Sequence, residues 1–330
     1  MSFVLGRHRR RHGNSIISPA INAEEGTPLE TNSANTKTLV VGDMHLREKL
    51  ILDRVFRAAS NLSVGRIVFC GDYVDNWYQN REMVIDELTY LRSWVKAMRG
   101  DVASGLEVRP PASDFEVNLV IGNHDMQYLR RIPGAGTCID LYDEVSEILR
   151  EINVQAATVV GDYLITHAGV TKQWAKQFLE LENGYTAHSV CAQLNKMFEQ
   201  GDETSLAALS TAGPKRGGRD LPGPLWADCW ELCDDPLPNI NQIVGHTPLA
   251  CVDKWQTEAD DDSSGETLFV CDTFSLTRGL IPIGDGSMVL VEDGSARKIT
   301  SDEAGIEPWS TASWAWLTNS VMPYLDLDGS

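Results

Sequence analysis

Five short clusters of carboxylate, amide and imidazole side chains lie between Asp43 and His246. They are Gly42-Asp43-Met44-His45, Gly71-Asp72-Tyr73-Val74-Asp75-Asn76, Gly122-Asn123-His124-Asp125, Thr166-His167-Ala168-Gly169 and Gly245-His246-Thr247. Nitrogen and oxygen donors of this kind, without thiolates, suit Mn, Fe, Zn or Ni. An Asp-x-His spacing on an extended backbone puts both side chains on one side, so Asp43 and His45 can grip one ion. Two ions close together need a ligand that touches both, and motif order gives that place to Asp72, with Asn123, His167 and His246 completing the second ion. A hydroxide held between two cations becomes a nucleophile near neutral pH. His124 is then placed to protonate the leaving oxygen, with Asp125 or Asp75 to orient and charge it.

Taken singly, Asp43, Asp72 and Asn123 each read equally well as helix caps, because each sits where a strand turns toward a helix. A lone histidine after an apolar strand is usually satisfied by a backbone carbonyl. Five motifs in one order, three of them contributing histidine ligands, favour the metal reading.

The motifs must be positioned by strands. Thr38-Leu39-Val40-Val41, Ile67-Val68-Phe69-Cys70, Asn118-Leu119-Val120-Ile121 and Gln242-Ile243-Val244 are apolar runs that each stop at a glycine. Tyr163-Leu164-Ile165-Thr166 is a fifth, without the glycine. Such runs predict strands buried on both faces, and ligands gather at the carboxyl ends of strands in sheets of that kind. Apolar spacing near 3.6 predicts helices over 49–61, 82–98, 140–152 and 172–203. Residues 211–225 are rich in Gly and Pro, so 172–238 is expected to form a helical and loop cap inserted beside the site. Residues 260–265 suggest an exposed hairpin tip. The tail 301–330, with Trp309, Trp314 and Trp316, is too aromatic for simple disorder and is expected to pack on the main domain, 38–300.

Composition narrows the partners. Acidic residues outnumber basic ones 47 to 28, giving a net charge of −19 over 330 residues. That surface repels nucleic acid, so an anionic substrate needs local positive charge, for which bound metal ions are the natural source. The seven cysteines are scattered without a CxxC pair, which fits small buried hydrophobes in a reducing, cytoplasmic setting. No stretch is apolar enough for a membrane span. Residues 1–37, basic at Arg7, Arg9, Arg10 and Arg11 and then polar, read as a mobile tail rather than a targeting signal.

The five motifs resemble those of the calcineurin-like metallophosphoesterases, and within them the phosphoprotein phosphatase branch. Gly71-Asp72-Tyr73-Val74-Asp75 is close to that branch's GDYVDRG, and Gly122-Asn123-His124-Asp125 to its GNHE. Gly245-His246-Thr247 is similar to the bacterial and phage-type members and to diadenosine tetraphosphatases. The resemblance implies a four-layer α/β/β/α sandwich and a two-metal hydrolase of phosphate monoesters, on phosphoserine or phosphothreonine of protein or on a small phosphoester. A nucleotide-directed hydrolase is the second reading, and a non-catalytic binding module the third. Departures from the pattern are Leu46 for the usual Gly, Asn76 for the Arg that grips phosphate, Trp77 for the following Gly, and Asp228 where relatives carry an Arg after Trp226. Arg216 and Arg219 are the expected replacements, since guanidinium forks match phosphate oxygens, with Arg81, Arg130 and Arg131 behind them.

Overall fold

In the computed structural model, β1 (Thr38–Val41), β2 (Arg66–Phe69) and β3 (Glu116–Leu119) alternate with α1 (Glu48–Leu62), α2 (Arg81–Met98) and α3 (Asn123–Arg130). The structure describes residues 37–101, 104–181, 184–258 and 265–317. The basic N-terminal tail, nearly all of the acidic hairpin tip and the end of the aromatic tail lie outside the described residues. After α4 (Tyr142–Glu151) come β4 (Thr158–Val160) and β5 (Tyr163–Ile165). Four helices follow: α5 (Lys172–Phe178), α6 (Ala187–Gln200), α7 (Glu203–Leu209) and α8 (Cys229–Asp234). The chain closes with β6 (Asn241–Val244), β7 (Asp253–Gln256), β8 (Thr267–Val270), β9 (Met288–Glu292), β10 (Ser295–Ile299) and α9 (Trp309–Trp316).

The strands form two five-stranded mixed sheets, β10-β9-β1-β2-β3 and β4-β5-β6-β8-β7. Alternation along each strand decides what its two faces meet. Val40, Val68, Val289 and Val291 of the first sheet pack on Ile165, Ile243 and Phe269 of the second. Leu39, Val41, Ile67 and Phe69 point the other way, into a cluster with the apolar stripes of α1 (Ile51, Val55, Ala58) and α2 (Leu88, Leu91, Val95). On the far side Val244, Leu268 and Val270 meet Cys229 and Leu232 of α8. Four layers follow, helix on sheet on sheet on helix, as expected. Each fully buried Val or Leu contributes roughly 1.5–3 kcal/mol to holding these layers together.

The helical stretch expected over 172–203 is instead two helices, α5 and α6, with α7 starting at its end. Thr186 caps α6 by accepting from the Ser189 amide, and Asp202 caps α7 by accepting from the Ser205 amide, so two local starts interrupt the apolar period. Within the aromatic tail, Trp309 is buried edge-on against Phe274 at 5.0 Å, with the Arg54 guanidinium over its ring. All seven cysteines are free, and Cys70 and Cys271 touch across the two sheets with sulfurs 3.9 Å apart. None of the described helices is long and apolar enough to cross a membrane.

Candidate metal centre and active site

Parallel pairing aligns Val41 with Phe69 and Phe69 with Leu119 in one sheet, and Ile165 with Ile243 and Ile243 with Phe269 in the other. The carboxyl ends of the central strands therefore stop at one level, and hydrogen bonds tie the two rims together. The His246 amide donates to Asp43 Oδ1 (3.0 Å), and His167 Nδ1 donates to the Cys70 carbonyl (2.7 Å). His45, Leu46, Asp72, Asp75 and His246 all carry positive φ. That clustering of a costly backbone conformation marks the turns that deliver these side chains.

Two groups of potential ligands result, Asp43-His45-Asp72 and Asp72-His167-His246, with Asp72 in both. His45 gives Nδ1 to the carbonyl of Asp75 (2.8 Å), which leaves Nε2 facing Asp43 Oδ2 at 3.8 Å and Asp72 Oδ2 at 3.7 Å. With Nδ1 of His167 donating, its Nε2 carries a lone pair. That atom converges with Asn123 Oδ1 (2.8 Å), His246 Nδ1 (3.0 Å) and Asp72 Oδ2 (3.4 Å). Acceptors crowd there, and His246 Nε2 is buried without a partner. Burial also lowers the pKa of His45 to about 4 and lowers those of His167 and His246. Neutral imidazoles are what a metal requires. Asp43 is pushed up by burial and by the charges of Asp272 and Asp72. A cradle of neutral imidazoles and repelling carboxylates fits divalent cations, whose charge would relieve both.

His124, in the first turn of α3, holds Asp75 Oδ2 through Nδ1 at 2.9 Å. Asp75 is itself fixed by the Tyr128 hydroxyl (2.8 Å). Burial pushes the His124 pKa down, but the charge of Asp72 and the hydrogen bond donated to Asp75 outweigh it and raise it to about 9. Asp125 does something different from orienting His124. Its oxygens accept the amides of Gly122, Asp72 and Tyr73 at 2.8–2.9 Å, which fixes the turn that carries Asp72.

His45, Asp72, Asp75, Asn123, His124, His246 and Arg216 line one cavity of about 370 Å³. Arg216 Nη2 donates to Thr247 Oγ1 (2.7 Å), and its Nε faces Asp228 Oδ2 at 3.2 Å. Asp228, the acid at a usual arginine position, thus holds an arginine from elsewhere. Arg219 is exposed and is not part of this lining. Arg81, Arg130 and Arg131 pair with Asp140 and Glu144, Glu203, and Asp143 respectively. Asn76 serves its own loop, accepting from the Tyr78 amide at 2.8 Å. Trp77 donates Nε1 to the Leu276 carbonyl (3.2 Å), and both line the apolar side of the cavity with Ile283 and Pro248.

Among the charged and aromatic lining residues, Arg47, Asp272 and Trp226 were not expected in the site from the sequence. Trp226 is half-buried with its ring 5.8 Å from that of His246. Burial raises the Asp272 pKa to about 6 although Ser275 donates to it. The single signal for Arg47 was its place two residues after His45.

Gly122 offers a local test. A Cβ there would collide with the Asp72 carboxylate and amide. Gly122→Ala should displace Asp72 and reduce kcat about 100-fold, the usual effect of an ångström-scale misplacement. Turnover measured beside bound divalent metal checks this, and wild-type turnover would show that the close approach is dispensable.

A buried cluster of potential oxygen and nitrogen ligands beside a histidine-carboxylate pair, at the rim of a four-layer sandwich, is the arrangement a metal-dependent phosphoesterase needs. Residues 36–262 match the calcineurin-like phosphoesterase family, and the chain belongs to it. Among solved structures it is similar to the cold-active protein-tyrosine phosphatase of a psychrophilic Shewanella species, at 16% identity over 83% of this chain and 86% of that chain, with a TM-score of 0.42. It is also similar to a protein serine/threonine phosphatase from Saccharomyces cerevisiae, at 15% identity over 84% of each chain, with a TM-score of 0.40. No curated protein matches it significantly.

Proposed function

We propose that the protein hydrolyses phosphate monoesters, with phosphoserine or phosphothreonine of protein as the natural substrate class, and that it works with two divalent ions, manganese first among them. Asp43, His45 and Asp72 would hold one ion, and Asp72, Asn123, His167 and His246 the other. When bound, such ions polarise a phosphoryl oxygen and lower the pKa of water. Everything else falls to the chain. His124 holds a proton on Nε2 for the departing oxygen, while Asp75 fixes the ring through Nδ1 and favours its charged form. Arg216 reaches the same cavity from the cap and offers a guanidinium to the phosphoryl group. Seven free cysteines suit a reducing compartment such as the cytoplasm.

One observation carries the reading: the His124-Asp75 pair opens on the same cavity as two ligand groups that share Asp72. The apolar wall of Trp77, Pro248, Leu276 and Ile283 keeps a nucleotide substrate as the second reading, because a base could rest against it.

The test is hydrolysis of p-nitrophenyl phosphate beside bis-p-nitrophenyl phosphate by protein stripped of metal and then given Mn²⁺. Faster monoester cleavage, followed by release of phosphate from phosphopeptides, is the expected result. Preference for the diester would shift the assignment to nucleotides. No cleavage of either with any metal would favour a binding module.

A further inference from the structure

Arg47 is 2% exposed and sits at the start of α1, where its side chain makes no capping bond. Its Nε and Nη2 are buried without a hydrogen-bond partner, yet the residue lines the cavity that holds His45, Asp72 and His124. Among the described residues no carboxylate forms an ion pair with it within 4.0 Å, although Asp272, Glu48, Asp43 and Glu87 surround it at longer range. Buried guanidinium donors normally find an acceptor, because a desolvated N–H left alone is costly. Arg216, the other arginine on this cavity, already gives Nη2 to Thr247 and faces Asp228 through Nε, so only part of its fork is left for a phosphoryl group. Asn76, on the same lining, accepts the Tyr78 amide and donates to Met83 Sδ of α2.

We propose that Arg47 is the anchor for the substrate's phosphoryl group, its unpartnered donors binding phosphoryl oxygens in the cavity. The proposal rests on the phosphoester reading of the site. Burial already confines the side chain, so little ordering is needed when an anion arrives. A planar fork also suits two oxygens of one tetrahedral anion better than an ammonium does. The competing role is simple neutralisation of Asp43, Asp72 and Asp272. That role needs charge alone and no directed donors, so the two roles separate by experiment.

Inorganic phosphate is the probe. Its binding to manganese-loaded wild type, Arg47→Ala and Arg47→Lys would be measured by calorimetry, with bound manganese counted in each and KM for p-nitrophenyl phosphate alongside. Arg47→Ala should weaken phosphate binding about 10- to 100-fold, as expected for a lost charge-assisted pair, and raise KM in parallel while manganese stays bound. Arg47→Lys keeps the charge and most of the stem, and should recover part of the affinity and remain weaker than wild type by about 5-fold or more. Phosphate affinity within about threefold of wild type in either variant would overturn the anchor. So would manganese lost in step with phosphate affinity in both variants, which would make Arg47 a support of the metal cradle. A wild type that cleaves monoesters while Arg47 variants bind phosphate normally removes only this inference. A wild type that neither binds phosphate nor cleaves removes the hydrolase reading and the inference with it.

Discussion

Asp72→Asn should leave a folded protein that holds at most one equivalent of manganese and turns over monoesters about 1,000-fold more slowly, the size expected when several kcal/mol of metal-derived stabilisation is lost. Asp72 alone belongs to both ligand groups, with Oδ2 3.7 Å from His45 Nε2 and 3.4 Å from His167 Nε2. Asn is its isostere and tolerates the positive φ of 53° at this turn, so the backbone has no reason to move. Its side-chain oxygen can still accept the His124 amide that Asp72 Oδ1 accepts at 2.9 Å. What changes is charge. Asp43 is pushed up by burial and then by the charges of Asp272 and Asp72, so removing one of these carboxylates relieves repulsion in the metal-free chain. Burial pushes Asp72 itself up, but His167, His124 and His45 outweigh that and hold it below the usual carboxylate range, so the metal-free variant also gives up the support this charge lends to His124. Two bound equivalents with near-normal turnover would refute the shared-ligand assignment.

The sequence made the candidate ligands legible because most follow an apolar run at the point where the strand must stop. Gly42, Gly71, Gly122 and Gly245 mark those points, and Asp43, Asp72, Asn123 and His246 come next. The strands that carry them could be read from their buried, β-branched character. Which sheet each strand joins could not. Val40 and Ile243 face each other between the sheets while Leu39 faces helices, but every one of them is apolar, so alternation leaves no trace in the sequence. Arg216 and Arg219 share one loop. The left-handed turn at Gly217 (φ 78°) separates them, and only Arg216 comes to the cavity. Arg47 and Asp272 were hidden for another reason. Asp272 follows β8 without a glycine or a histidine beside it, and Arg47 looks like any charged residue at the start of a helix until its burial is known.

With His124→Asn, turnover of monoesters should fall about 100- to 10,000-fold, the span of general acid catalysis, while both manganese ions stay bound. His124 ranks below Asp72 as a ligand candidate because its Nδ1 is engaged by Asp75 at 2.9 Å and neither metal-spaced group includes it. A proton donor matters most for a poor leaving group, so the loss should shrink for p-nitrophenyl phosphate and be full for an alkyl phosphate such as phosphoserine. Asp75→Asn should reproduce a smaller part of the same pattern, since it keeps the hydrogen-bond geometry and removes the charge. A pH signature separates this from a packing defect. In the metal-free protein, burial lowers the His124 pKa but Asp72 and Asp75 together raise it from 6.5 to about 9. A group raised on folding contributes stability that is complete below its unfolded pKa and is lost as pH rises through the folded one. Metal-free wild type should thus lose melting temperature between pH 6.5 and 9, and His124→Asn should flatten that decline. Loss of manganese from His124→Asn, or an equal rate loss on both leaving groups, would move His124 from proton donor to structural support. The leaving-group contrast is the sharper of the two, because a damaged cradle slows every ester alike, and a missing proton slows only those that need one.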